Sequence, residues 1–354
     1  MENKQDDRKG LTLARRFFEQ VAKPAMEKHC PEVLKEAACG LMGQGSECFG
    51  FDDIYSRDHH WGPRVMVLLP DDYIDTVDPE VWQRTTKDFP THFEGFEVVG
   101  GLLGGAGLEP ESIGSFLNRA IGRKNLPETA VDWLDIPEED FAHIVNGEVW
   151  HDEKGEFTNV RDVINGYYPD EVWRRRIAHW CRYASGMALY AMKRAELRQN
   201  TVFYFTAFGR TLKMTMEIAC MLNRTYFPYD KWLYDTFARL PNLAPEMIPL
   251  IEEATTFDTS WERRTKIFEE LHTMLDAYMI ELGLVTPHPA YKSHPTSGLR
   301  ILERSYQELI KSVPVEIKQH TPLWDQKFLE EFISGYVNGL SQEDWLGLLH
   351  LDPA

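Results

Sequence analysis

The stretch Leu41–Leu69, LMGQGSECFGFDDIYSRDHHWGPRVMVLL, decides how the chain is read. A short run of small apolar residues, Ala37–Met42, leads into it and suits a buried strand feeding a tight turn. The turn is Gly43-Gln44-Gly45-Ser46. Glycine allows the sharp backbone, and the free N–H groups of such a turn can hold a phosphate. Asp58 follows after residues 47–57. Just beyond it, Arg64–Leu69 is a continuous apolar run closed by Pro70 and Asp71, the clearest strand in the sequence.

Outward from this stretch the pattern is mixed before about residue 135 and helical after it. Leu13, Phe17, Phe18 and Val21 place a helix over Leu11–Ala22, which Pro24 ends or kinks. Asp78-Pro79 starts another helix. Phe93–Val99 reads as a strand, followed by a glycine-rich loop from Gly100 to Gly107. Ile136-Pro137-Glu138-Glu139 opens a helix that Gly147 stops. Helical periodicity then runs over residues 169–199, 201–224, 229–239, 245–255 and 260–283. A Pro/His/Ser-rich connector near 286–298 precedes the last helices. The expected fold class is α+β: a mixed-sheet domain over 1–135 and a helical bundle domain over 136–354. Arg174-Arg175-Arg176 reads as a solvated helix face.

The net charge of −18 over 354 residues disfavours nucleic acid and an anionic membrane surface as partners, since both are recognised through excess Lys and Arg. The polar start MENKQDDRKG has no apolar run behind it, and no stretch of eighteen apolar residues occurs. A cytoplasmic location is expected. Five cysteines, none in a CxxC pair, are expected to be reduced, buried thiols.

The Gly-Ser turn, the gap and the acid at Asp58 resemble the nucleotidyltransferase superfamily related to DNA polymerase β. A closer resemblance is to a family catalogued as domain of unknown function 4037. It is carried by GSE at 45–47, GFDD at 50–53, SRDHHWGPR at 56–64, GYYPDEVW at 166–173, Gly209-Arg210 and YFPYDKW at 226–232. The resemblance implies a nucleotidyltransferase-like N-terminal domain. The implied reaction moves a nucleoside monophosphate from a nucleoside triphosphate to a hydroxyl of a small molecule. Gly45 and Ser46 would hold phosphate, Asp58 would hold a divalent metal such as Mg²⁺ or Mn²⁺, and a basic residue of the helical domain, Arg210 or Lys231, would complement the phosphates.

One position departs from the superfamily. Its second acid, two residues after Asp58, is replaced by His60. Imidazole binds borderline ions better than Mg²⁺. Three alternatives stay open: His60 serves with Mn²⁺ or Zn²⁺, Asp52 or Asp53 substitutes, or catalysis is lost. Glu94, Glu97 and Glu109 are candidates for a third acid. Asp53 is equally a turn or cap residue, and Arg64 is either a phosphate contact or a partner of Asp58 or Asp53. Two further functional classes compete: a nucleotide or metabolite sensor that keeps the fold without the acids, and a phosphoesterase of the Asp-His-His type. The second rests on three letters, Asp58-His59-His60, without the upstream acids that type needs.

Overall fold

The computed structural model describes residues 9–58, 61–98, 107–287, 300–320 and 322. The chain forms two compact units. The first comprises residues 1–126 and 138–167, the second residues 127–137 and 168–354.

In the first unit, α1 (Gly10–Phe17) runs through a π-helical turn, Phe18–Ala22, into α2 (Lys23–His29). Pro24 does not end the helix. It follows on the π-helical turn, at the start of α2. After α3 (Pro31–Glu36) come β1 (Ala38–Leu41), a 3-10 turn (Ile54–Asp58) and β2 (Val65–Leu69). Two short helices follow, α4 (Asp71–Ile74) and α5 (Glu80–Thr86). The strand expected over Phe93–Val99 is instead a small hairpin of β3 (His92–Phe93) and β4 (Phe96–Glu97), because Glu94 and Gly95 both adopt positive φ and reverse the chain. Val99 and the glycine-rich loop up to residue 106 lie outside the described residues. The unit continues with β5 (Leu108–Ser112) and α6 (Ile113–Ile121). After α7 (Ala130–Leu134), which belongs to the second unit, it resumes with α8 (Glu138–Val145), β6 (Glu148–Asp152) and α9 (Glu156–Asn165).

Four strands form one mixed sheet in the order β5-β2-β1-β6, with β2 parallel to β5 and β1 antiparallel to both its neighbours. Every residue of β2 is buried, which explains its unbroken apolar sequence: it is a central strand covered on both faces. Val65, Val67 and Leu69 join Cys39, Leu108, Phe17, Met26 and Leu34 in the core on one face. Met66, Glu109 and Glu111 alternate to the other side. The sheet also corrects the domain boundary drawn near 135. Residues 138–167 belong with the first unit because β6 pairs along β1, and the pairing is irregular between Cys39 and Gly40. A side chain at Gly40 would run into the Glu148 carbonyl oxygen, so glycine is what permits the approach.

The second unit is helical throughout its described residues. A nearly continuous rod runs through α10 (Asp170–Tyr183), a π-helical turn (Ala184–Leu189) and α11 (Tyr190–Leu197), and packs with α12 (Thr201–Leu222). Then come a 3-10 turn (Asp230–Trp232), α13 (Leu233–Phe237), α14 (Ala244–Thr255), α15 (Trp261–Glu281), α16 (Ile301–Ser312) and α17 (Val315–Gln319). Most of the connector expected near 286–298 lies outside the described residues. Arg175 and Arg176 are buried, against the expectation of a solvated face. The guanidinium of Arg176 lies over the rings of Tyr168 and Trp180, and these aromatic faces offset the cost of burying it.

His272 on α15 is fully buried, with Nε2 3.3 Å from the Thr215 hydroxyl of α12. Burial pushes its pKa down to about 3, and that of His143 on α8 down to about 4. Unfolded, both histidines would take up protons below about pH 6.5. The folded protein binds fewer protons in that window, so the stability present above pH 6.5 is lost as pH falls towards these folded values. We expect urea unfolding to show stability declining below pH 6.5, by at most about 1.4 kcal/mol per pH unit per histidine. His272→Gln should flatten the slope; an unchanged slope would show that His272 is not proton-linked.

Candidate active site

The first unit carries a cavity of about 890 Å³ on the sheet face opposite the α1–α3 core. Its wall is the end of β1 and the glycine turn, from Leu41 to Gly45, together with Glu47, Arg64 and Met66. Asp71 and Ile74 from α4, Asp75 just after it, Glu109 and Glu111 from β5, and Ser112, Ser115, Arg119 and Lys124 around α6 complete it. The turn is held in place. Gly43 adopts φ +117, and the chain beyond it winds tightly, with Cys48 N–H bonded to Gly45 O and Gly50 N–H to Glu47 O. The N–H groups of Gln44 and Gly45 donate to nothing among the described residues.

Beneath the turn lies a buried ion network. Arg64, at the start of β2, donates Nη2 to the carboxylate of Glu47, and its Nε stands 3.6 Å from Glu109 Oε1. Both members of the Glu47–Arg64 pair are buried, at 3% and 7% exposure. Burial opposes the guanidinium charge, but the pull of Glu47 and Glu109 outweighs it and raises the Arg64 pKa. Arg64 Nη1 is buried with no hydrogen-bond partner among the described residues. Glu111 is likewise buried, and Arg119 donates to it. Burial raises the Glu111 pKa, and Glu109 adds to the rise against the opposing Arg119. Asp71 takes the Ser112 hydroxyl at 2.6 Å and the Gly114 N–H at 3.0 Å, so the start of α6 is already filled by a carboxylate of the protein itself.

Of the residues singled out in the sequence, Gly45 and Arg64 line this cavity. Arg64 pairs with Glu47 and Glu109, not with Asp58 or Asp53 as the sequence allowed. Ser46 adjoins the lining, and its carbonyl accepts from Phe49 and Phe51 N–H. Asp58 ends the 3-10 turn, is exposed, and is not part of the cavity wall. His60 lies outside the described residues. Asp53 caps the 3-10 turn: its Oδ1 accepts from Tyr55 N–H at 2.8 Å, Ser56 N–H at 3.1 Å and the Ser56 hydroxyl. Asp52 is buried and takes Gly10 N–H at 2.7 Å and Trp61 Nε1–H at 2.8 Å, tying the start of α1 to the entry of β2. Of the three third-acid candidates, Glu109 lies in the cavity wall, while Glu94 is paired with Arg16 and Glu97 is in the small hairpin. Arg210 and Lys231 belong to the second unit, where Lys231 Nζ lies 4.6 Å over the Trp232 ring.

Sequence reading passed over Glu47, Glu111, Asn146, Arg119 and Lys124. Glu47 stood inside the GSE motif, but no spacing rule marks a glutamate as an arginine partner.

The metal that the resemblance implies would draw on His60, which lies outside the described residues. No three His, Cys, Asp or Glu side chains among them converge to hold an ion. Glu47 and Glu109 face Arg64, Glu111 faces Arg119, and Asp53 is spent on its cap.

Comparison with known proteins bears on the family. Residues 133–233 match the family described as Domain of unknown function (DUF4037). The matched range contains the GYYPDEVW, Gly209-Arg210 and YFPYDKW stretches, and it begins ahead of α8 and β6. A solved structure, a nucleotidyltransferase-like protein from Exiguobacterium sibiricum 255-15, is similar at 10% identity and a TM-score of 0.36, over 82% of this chain and 89% of that one. No curated protein matches the chain.

The Glu47–Arg64 pair yields a direct test. Removing one partner of a buried ion pair strands a charge and costs about 3–5 kcal/mol, whereas replacing both with apolar side chains is often close to neutral. Arg64→Met should therefore lower the urea midpoint strongly, and Glu47→Met/Arg64→Met should recover most of the loss. A double variant as unstable as the single one would show that Glu47 is not the partner that matters.

Proposed function

We propose that the cavity of the first unit holds the phosphate end of a nucleotide. The observation that carries this reading is the Gly43–Gly45 turn in the cavity wall. It has two N–H groups without acceptors among the described residues, and Arg64, Arg119 and Lys124 line the same cavity. Oriented N–H groups in a glycine turn are anion ligands, and a guanidinium with an unused nitrogen has capacity for a further acceptor.

On this binding we propose transfer of a nucleoside monophosphate from a triphosphate to a hydroxyl of a small molecule. Support for the transfer is the resemblance of Gly45, Ser46 and Asp58 to the nucleotidyltransferase pattern. One observation favours a second reading, a nucleotide sensor without turnover: the cavity carboxylates Glu47, Glu109 and Glu111 are engaged by arginines of the protein.

The cavity wall carries five carboxylates, Glu47, Asp71, Asp75, Glu109 and Glu111, against three cations, Arg64, Arg119 and Lys124. A bare triphosphate meets net repulsion there, and a divalent ion carried on its phosphates relieves it. ATP and GTP should raise the melting temperature of the full chain more with Mn²⁺ or Mg²⁺ than with EDTA. The stabilisation should reach about 2.7 kcal/mol at a hundredfold excess over Kd. Equal shifts with and without chelator would remove the ion from the proposal; no shift under any condition would remove the phosphate reading. Pyrophosphate release by the wild type that Asp58→Asn abolishes supports transfer, with Mn²⁺ ahead of Mg²⁺ if His60 is a ligand. Binding without release for every ion supports the sensor.

A further inference from the structure

The turn on which phosphate binding rests is gripped from a distant part of the chain. Asn146, which follows α8, bonds both sides of one residue in the turn. Its Oδ1 accepts the Gly43 N–H at 3.0 Å, and its Nδ2 donates to the Gly43 carbonyl at 2.6 Å. The next residue, Gly147, donates its N–H to Cys48 O at 2.7 Å. Asn146-Gly147 thus holds the segment 43–48 at both ends. The approach is close: Gly147 has φ +61, and a side chain there would run into the Leu41 carbonyl oxygen. Arg161 on α9 fixes the corner in turn, donating Nη2 to the carbonyls of Val145 at 2.6 Å and Asn146 at 2.9 Å.

A carboxamide suits this task. It offers a donor and an acceptor in one plane, and a peptide group needs both. Gly43 adopts φ +117, and glycine loses more backbone entropy on ordering than any other residue. A turn left loose must be ordered when the ligand arrives, and that cost is subtracted from affinity.

We propose that Asn146 is a positioning residue: it presets the Gly43–Cys48 turn so that the N–H groups of Gln44 and Gly45 are ready for a phosphate. The proposal rests on the phosphate reading of the cavity. Asn146 touches no ligand itself and acts through the turn. It also gives a role to the 146–147 corner, which reads in the sequence as nothing more than a helix stop.

Two measurements on the full chain test it. The first is calorimetric titration with ATP under the metal condition that binds best in the wild type. The second is amide hydrogen exchange over residues 43–48 without ligand. Asn146→Ala should weaken ATP by tenfold or more and speed exchange in the turn, with a melting temperature close to that of the wild type. A folded Asn146→Ala protein that binds ATP within twofold of wild type, or exchanges at the wild-type rate, overturns the proposal. Should Asn146→Ala not fold, Arg161→Met, which loosens the corner from behind, decides by the same two readouts. Absence of ATP binding by the wild type removes the phosphate reading and the inference with it. Wild-type binding with an unaffected variant removes the inference alone.

Discussion

The contact between Glu47 and Arg64 is the constraint on which the candidate site depends. A guanidinium taken out of water is costly, and here it is buried at the start of the central strand. Its charge is kept because Glu47 accepts from it on one side and Glu109 stands 3.6 Å away on the other. The pair joins two stretches of sequence that are otherwise separate, the glycine turn and the entry to β2. With Arg64 anchored by the strand, Glu47 is drawn under the turn. Its carboxylate then sits where a side chain at Gly45 would have to go. The second glycine of the turn is therefore fixed by electrostatics as much as by backbone freedom.

Two more polar hubs surround this pair. Asp52 collects the Gly10 N–H and the Trp61 indole, binding the far end of the same loop to α1. Asn146 collects both polar groups of Gly43. Between them the loop from 43 to 64 is tied to the sheet, to α1 and to the end of α8. Each hub satisfies backbone groups that would otherwise lack partners, which is what lets an irregular loop pack beside a sheet.

These ties explain what could be read from the sequence. β1 and β2 were legible because a central strand is apolar on both faces. β5 was not: LEPES alternates no apolar residues and contains Pro110, which is tolerated because β5 is an edge strand. β6 was missed for a similar reason, since all five of its residues are only half-buried. Its absence from the reading moved the boundary to 135, when the strand that completes the sheet comes after that point. In the site, Gly45 and Arg64 were legible from local rules. Glu47 and Asn146 were not, because their roles are set by partners 17 and 103 residues away. Asp53 and Asp58 illustrate the reverse. Acidic letters at a motif spacing state nothing about where the carboxylates point, and Asp53 turned inward on its own backbone.

The charge pattern of the cavity bears on what kind of ligand it can accept. Arg64 is committed to two carboxylates and Arg119 to one, so neither presents its full charge to an incoming anion. Lys124 stands on the same wall without a carboxylate partner among the described residues, but it is a single exposed ammonium. In water-filled surroundings one such charge at about 4 Å contributes on the order of 1 kcal/mol. That is too little to hold three phosphates against the surplus carboxylates. The neutral N–H groups of the turn are then the more important donors, because they are aimed by the backbone rather than by a charged side chain and their bonds to a charged oxygen are worth about 1.5–3 kcal/mol each. Such donors act at hydrogen-bond range and depend on alignment. A site built on them is sensitive to the exact path of the backbone in a way that a site built on lysines is not. On the phosphate reading proposed above, the shape of the Gly43–Cys48 turn, more than the count of charges around it, sets how well an anion can be held.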